Sequence, residues 1–222
     1  VRAGSPERFR ALSIEQFRAA SAIQYNIHWL TKLANVERSS AVSTEQSSST
    51  SQVEDLDIAW QRLGIGSSAR LFRKLESEIL AALQNPSASR AYETAQAKLG
   101  ELLGFVSGQA ERSTQGAPDA WWNLGGNRMI VFEDYYATGG EALVDLEKAR
   151  QTAGHATWLR HEGKAGDATE IITVLVTSAK GMNQGAIVHL SKVHIWTIQG
   201  FYDWAERALN RLLALRETYV PN

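Results

Sequence analysis

The sequence predicts a mixed α/β chain in which a helical N-terminal unit precedes a core built on a sheet. Three observations predict it. Apolar residues recur at three- and four-residue steps through the N-terminal part, the period of amphipathic helices. After Gly104 this period gives way to short β-branched and aromatic runs separated by glycine turns. Helical periods then return between and after those runs, so the order reads helix, hairpin, helix, strand, strand, helix: an α/β or α+β core.

Ser13-Ile14-Glu15-Gln16 has capping-box spacing, and Phe17, Ala20, Ile23, Ile27, Leu30 and Ala34 follow on one face of a long helix. The stretch SSAVSTEQSSSTSQ, residues 39–52, has no apolar period and the composition of a flexible linker or loop. Helices are expected at about 53–63 and 68–83, closed by Asn85-Pro86. These elements make residues 1–86 a helical unit and 87–222 a second domain. In the second domain Tyr92, Ala95, Leu99, Leu102 and Leu103 mark a helix that stops at Gly104. Strands are expected at 119–124, 129–135, 171–177 and 193–198, with a helix at about 141–160 between the second and third. A last helix carries Trp204, Ala208, Leu212 and Leu215 on one face.

Composition narrows the chemistry. The 222 residues are 44% hydrophobic, enough to pack a globule. A net charge of -1 supplies no global basic field, so contact with nucleic acid would come from a local patch. No cysteine is present, which removes disulfides, thiolate zinc sites and cysteine nucleophiles; any metal must sit on oxygen or imidazole ligands. No apolar run approaches the roughly 20 residues that cross a bilayer. No membrane association is therefore expected, and the expected location is the cytoplasm. The start at Val1 reads as a processed product or, preferably, a piece of a longer polypeptide.

The stretch PDAWWNLGGNRMIVFEDYY, residues 118–136, concentrates carboxylates on one hairpin. A turn at Gly125-Gly126-Asn127 makes Asp119 and Glu133 direct cross-strand partners, with Cβ atoms about 4.5–5.5 Å apart on one face. Two like charges at that spacing repel unless a cation neutralises them. Oxygen ligands completed by water suit Mg2+ or Mn2+, ions that activate water and stabilise charge on a phosphate. Strand alternation turns Asp134 to the opposite face, outside the expected site.

Pro118-Asp119, the hairpin, Val131-Phe132-Glu133 and a following helix with Gln151 and His155 resemble the PD-(D/E)XK nuclease superfamily, whose fold is restriction-endonuclease-like. The resemblance runs from about Arg90 to the C-terminus. In AYETAQAKLGELLGF it puts Glu93 at the first-helix glutamate of many members, and RQTAGH resembles the glutamine-bearing helix after the motif strand. It implies a mixed sheet flanked by helices, metal binding by Asp119 and Glu133 with support from Glu93, and a role for Gln151 in orienting backbone or ligand. The family lysine two residues after the glutamate is replaced by Tyr135, a neutral hydroxyl at pH 7. In some branches of the superfamily that function sits on the neighbouring helix, and Lys148, Gln151 and His155 share a helical spacing there. Lys148 is the expected replacement; Lys98 on the first helix is the poorer candidate. The implied activity is divalent-metal-dependent hydrolysis of a nucleic-acid phosphodiester, with DNA the expected substrate. The implied setting is a larger nucleic-acid-processing or defence protein with helicase or translocase domains or subunits.

Two other functions fit the same residues: a decayed nuclease fold that binds nucleic acid or partner domains without cleavage, and a purely structural domain. His189 and His194 lack a carboxylate at zinc-like spacing and read as structural or surface residues. Trp121, Trp122, Trp196 and Trp204 read as packing, and Gly125-Gly126 as a turn without the lysine and hydroxyl of a phosphate loop.

Overall fold

The structure is a computed structural model that describes residues 45–66, 68–111, 116–137 and 142–217. The chain divides into two compact units, Val1–Val53 and Glu54–Asn222. The helix expected over 13–34 lies outside the described residues.

Helix α1 (Glu45–Arg62) takes in most of the serine-rich stretch expected to be a linker. Serine is a middling helix residue and not a breaker, so a helix seeded by the buried Ala59 and Trp60 can extend back through it. The correction covers residues 45–52; residues 39–44 are outside the described part. Helix α2 (Ala69–Leu83) starts at Ser68, whose hydroxyl accepts from the Leu71 N–H at 3.2 Å, and it buries Phe72, Ile79 and Leu83. Helix α3 (Ser89–Leu102) packs on α2. Trp60 donates its indole N–H to Leu102 O across a buried 3.1 Å bond. The division expected after residue 86 therefore falls within the unit Glu54–Asn222, to whose core Trp60, Phe72, Ile79 and Leu83 contribute.

The sheet has the order β1 (Val106–Gly108), β2 (Ala120–Gly125), β3 (Arg128–Tyr135), β5 (Glu170–Thr177), β7 (His194–Thr197). Strands β1, β2 and β3 form antiparallel pairs, whereas β3, β5 and β7 run parallel, so the sheet is mixed. Parallel pairing of β3 with β5 needs a crossover, which helix α4 (Leu146–His161) supplies. Two short strands, β4 (Leu143–Val144) and β6 (Gly181–Met182), make a separate parallel pair. The chain closes with α5 (Gln184–His189) and α6 (Ile198–Glu217).

Adjacent residues of β3 reach opposite layers: Glu133 bonds to α4 and Asp134 to α3. Helix α4 thus covers one face, with its Leu159 packed among Met129 and Val131. On the α3 face, Trp122 and Phe132 meet Phe201 of α6, with Trp122 and Phe132 centroids 4.6 Å apart. Trp196 and Trp204 join this aromatic layer. Helix α6 buries Phe201, Ala205, Leu209 and Leu212, a face rotated from the expected one by the demand of this layer. Gly100 lets α3 approach the sheet, since a Cβ there would stand 2.4 Å from Trp122 Cδ1. Among the described residues no helix is long and apolar enough to cross a membrane.

Candidate active site

The hairpin takes the register that its sequence implies: Ala120 faces Phe132, Trp121 faces Val131 and Trp122 faces Ile130. Gly125, Gly126 and Asn127 all have positive φ, which explains the glycines at the turn. Asp119 lies just before β2, and its N–H donates to Phe132 O at 3.1 Å, which ties it to β3. Pro118 before it is buried and anchors the entry to the strand.

Glu133 has no exposed surface, and both its oxygens are engaged. Oε1 accepts from the Lys148 ammonium, and Oε2 lies 2.5 Å from His155 Nε2. Because a carboxylate only accepts, His155 Nε2–H is the donor. His155 is itself fully buried, and its Nδ1 has no partner. Lys148 comes from the first turn of α4, whose start is set by Asp145: the Asp145 carboxylate accepts from the Lys148 N–H at 2.8 Å. A lysine near a helix N-terminus meets an unfavourable dipole, and the Glu133 charge offsets it.

The far side of Asp119 meets Asp134. Asp119 Oδ2 accepts from the Asp134 N–H at 2.7 Å, and Asp134 Oδ1 accepts from Gln96 Nε2 at 2.8 Å. Asp134 does face away from Glu133, as alternation requires, yet it belongs to the same charged cluster. Burial, and then the charge of Glu133, raise the Asp119 carboxyl to about 7; Glu93 adds to the rise, while the Asp134 N–H and Lys148 oppose it. Asp134 is pushed well above the usual carboxylate range, by burial first and by Asp119 next. The Tyr92 phenol is raised by burial first and by the Asp134 charge next. Tyr92 Oη, Gln96 Oε1 and Asp134 Oδ2 are all buried without a hydrogen-bond partner.

Of the residues singled out in the sequence, Asp119, Glu133 and Lys148 come together. Glu93 lies near enough to raise the Asp119 carboxyl, but its Oε2 accepts from Arg90 Nη1 at 3.2 Å. Gln151 is exposed on α4 and takes no part in the network, because the inward face of that helix passes through Thr152 instead. Lys98, the poorer lysine candidate, lies 3.9 Å from Glu78. Sequence reasoning left out Asp134, Gln96 and Tyr92. Their signal was the four-residue step from Tyr92 to Gln96 on α3, which sets two polar groups under the end of β3. A groove lined by Glu76, Ser77, Leu80, Ala81, Gln84 and Tyr202 contains none of these residues.

The carboxylate oxygens of this cluster are of the donor type that a divalent cation takes, although Lys148 and His155 already engage both oxygens of Glu133. Asp119, Glu133 and Asp134 crowd beside a single lysine, and the Asp119 carboxyl is raised by its burial first and by the Glu133 charge next. Among the described residues no group of three or more histidine or acidic side chains could hold a metal ion. Of the three carboxylates expected at a metal, Asp119 and Glu133 lie on the hairpin, and Glu93 is engaged by Arg90 while its charge still reaches Asp119. Mg2+ is commonly held by one or two carboxylates with water and substrate phosphate, so a pair suffices.

Comparison of the chain with protein-family models, with curated proteins and with solved structures finds no match in any of the three.

Proposed function

We propose that this chain is a nuclease module of restriction-endonuclease-like fold that hydrolyses phosphodiester bonds of nucleic acid, with DNA the expected substrate, in the presence of Mg2+ or Mn2+. The observation that carries the reading is the ion pair between Lys148 on α4 and Glu133 on β3, at the carboxylate pair of the hairpin. The motif strand offers Tyr135 where the family pattern has lysine, and α4 brings an ammonium to the same place. The elements that the resemblance requires also occur in order on one sheet: a helix with Glu93, a hairpin with Asp119 and Glu133, and a helix with Lys148 and His155.

Asp119 and Glu133 would hold the cation, which supplies charge neutralisation and a bound water of lowered pKa. His155 holds Glu133 Oε2 and so orients that carboxylate. The Lys148 side chain keeps some exposure while Glu133 has none, so its ammonium would be the group to meet a phosphate oxygen and stabilise developing charge. Gln151, exposed on the same helix, is available to the nucleic-acid backbone but not to the cation.

The test is cleavage of single- and double-stranded DNA and RNA with Mg2+ and with Mn2+. Cleavage that needs the cation and is lost in Asp119→Asn supports the reading. A parent protein that binds DNA and never cuts it would instead favour the binding module. That second reading has its own support, since Lys148 and His155 already compensate Glu133 without any added ion. Co-purification with a helicase or translocase would support the defence setting that the resemblance implies.

A further inference from the structure

We propose that Tyr135 is the seat of the Lys148 ammonium, a positioning residue that lets the helix do what the missing strand lysine would have done. The proposal rests on the role given to Lys148 above. Residues 133 and 135 alternate onto the same face of β3, the face covered by α4. Lys148 Nζ ion-pairs with Glu133 and also lies 5.9 Å from the centroid of the Tyr135 ring.

The ring is held in place from several directions. Tyr135 packs against the buried cluster of Val144, Ala149, Leu175, Ala186 and Leu190, and its Oη donates to Leu143 O at 3.4 Å. The Tyr135 carbonyl accepts from Thr177 Oγ1 at 2.9 Å and from the Ser178 N–H at 3.2 Å. A lysine side chain carries about 2 kcal/mol of rotamer entropy, so an ammonium on a free stem would seldom stand in one place. The backbone of Lys148 is fixed by the Asp145 cap, its tip by Glu133 on one side and an aromatic face on the other.

The choice of an aromatic has a chemical reason. A ring quadrupole attracts an ammonium without neutralising it, so the charge remains available to a phosphate. A third carboxylate in that position would bind the lysine more firmly and cancel it. A second ammonium there would repel it. Positions 135 and 148 are thus alternatives, with room for one cationic side chain supplied by the strand or by the helix.

The test has an arm without metal and an arm with it. In chelator, urea unfolding of Tyr135→Leu, Lys148→Met and the double variant should be non-additive by roughly 2- to 30-fold in the unfolding constant. A cycle with Tyr135→Phe in place of the parent tyrosine should keep that coupling, because the ring carries it. With Mn2+, Tyr135→Leu should lower kcat by about 10-fold or more and Tyr135→Phe by less, with the Mn2+ dependence unchanged in both. The exchange variant Tyr135→Lys with Lys148→Met should cleave faster than Lys148→Met alone, while Tyr135→Lys in the parent background should cleave more slowly than the parent. Additive unfolding effects overturn the seat whatever the activity. Coupling that is present in a protein that never cleaves supports the seat and overturns the nuclease reading.

Discussion

At the scale of single residues, the site is an excess of negative charge restrained by a few donors. The Asp119 carboxyl is raised to about 7, above an unperturbed value near 3.9, so the folded protein binds its proton more tightly than the unfolded chain. Below about pH 4 the group is protonated in both states and contributes no pH dependence. Stability then falls as pH rises from about 4 to 7 and levels off above that, by on the order of 2 kcal/mol after allowance for solvent screening. Melting temperatures in chelator should therefore drop across this window, and Asp119→Asn should flatten the drop. A parent profile that rises with pH there would contradict the assignment. Mn2+ should restore the stability lost near pH 7 in the parent and not in Asp119→Asn, by mass action on the folded state. Lys148→Ala leaves a buried carboxylate with His155 as its remaining partner, at a cost of roughly 1–3 kcal/mol in urea unfolding. In a cleavage assay the same variant should lose about 10²-fold or more, with its Mn2+-dependent melting shift retained.

At the scale of elements, two joints hold the charged residues in register. The Asp145 cap sets the first turn of α4, and with it the height of Lys148 against β3. Asp145→Ala should cost about 0.5–2 kcal/mol of stability by thermal or urea unfolding. It should also reduce cleavage, whereas Ser68→Ala at the cap of α2 should cost a similar amount and spare the site. The other joint is Gly100, where α3 meets the Trp122 edge. Gly100→Ala forces the indole or the helix to shift, for a loss of about 1–3 kcal/mol despite the better helix propensity of alanine. A neutral or stabilising effect in urea unfolding would show that the contact yields more easily than the packing implies. The hairpin itself was legible, because its two glycines and the asparagine define the turn and β-alternation then dictates the partners. Strand β1 was not, since Val106-Ser107-Gly108 has no apolar pattern and is a strand only through its pairing with β2.

At the scale of the whole molecule, residues 54–86 belong to the same compact unit as the strands that carry the site. Trp60, Phe72, Ile79 and Leu83 are fully buried, and Trp60 bonds to the end of α3. A fragment of residues 45–222, which keeps α1 whole, should unfold cooperatively, while a fragment of residues 87–222 should lack a sharp transition by circular dichroism. A cooperative melt from the shorter fragment would restore the division after residue 86. The separation of helices from strands in the sequence suggested two domains, but order along the chain does not say which helices share a core. Arg216, near the end of α6, donates to Ile65 O at 2.8 Å, a tie across 151 positions that no local pattern announces.

By itself the sequence determined the mixed α/β class and the hairpin register, because turn chemistry and side-chain alternation are local. It also placed Lys148 on the helix that follows. The tertiary structure alone decided that Lys148 reaches Glu133, that His155 takes the other oxygen, and that Gln151 stays outside. It alone brought Asp134 into the cluster, through a backbone N–H on Asp119 and a side chain on Gln96. Those outcomes depend on how α3 and α4 rotate as they settle on the two faces of one strand. That rotation is set by the fit of Gly100 to Trp122 on one side, and of Ala149 and Leu159 to the strands on the other. Packing of this kind is a property of surfaces that meet only when the chain has folded.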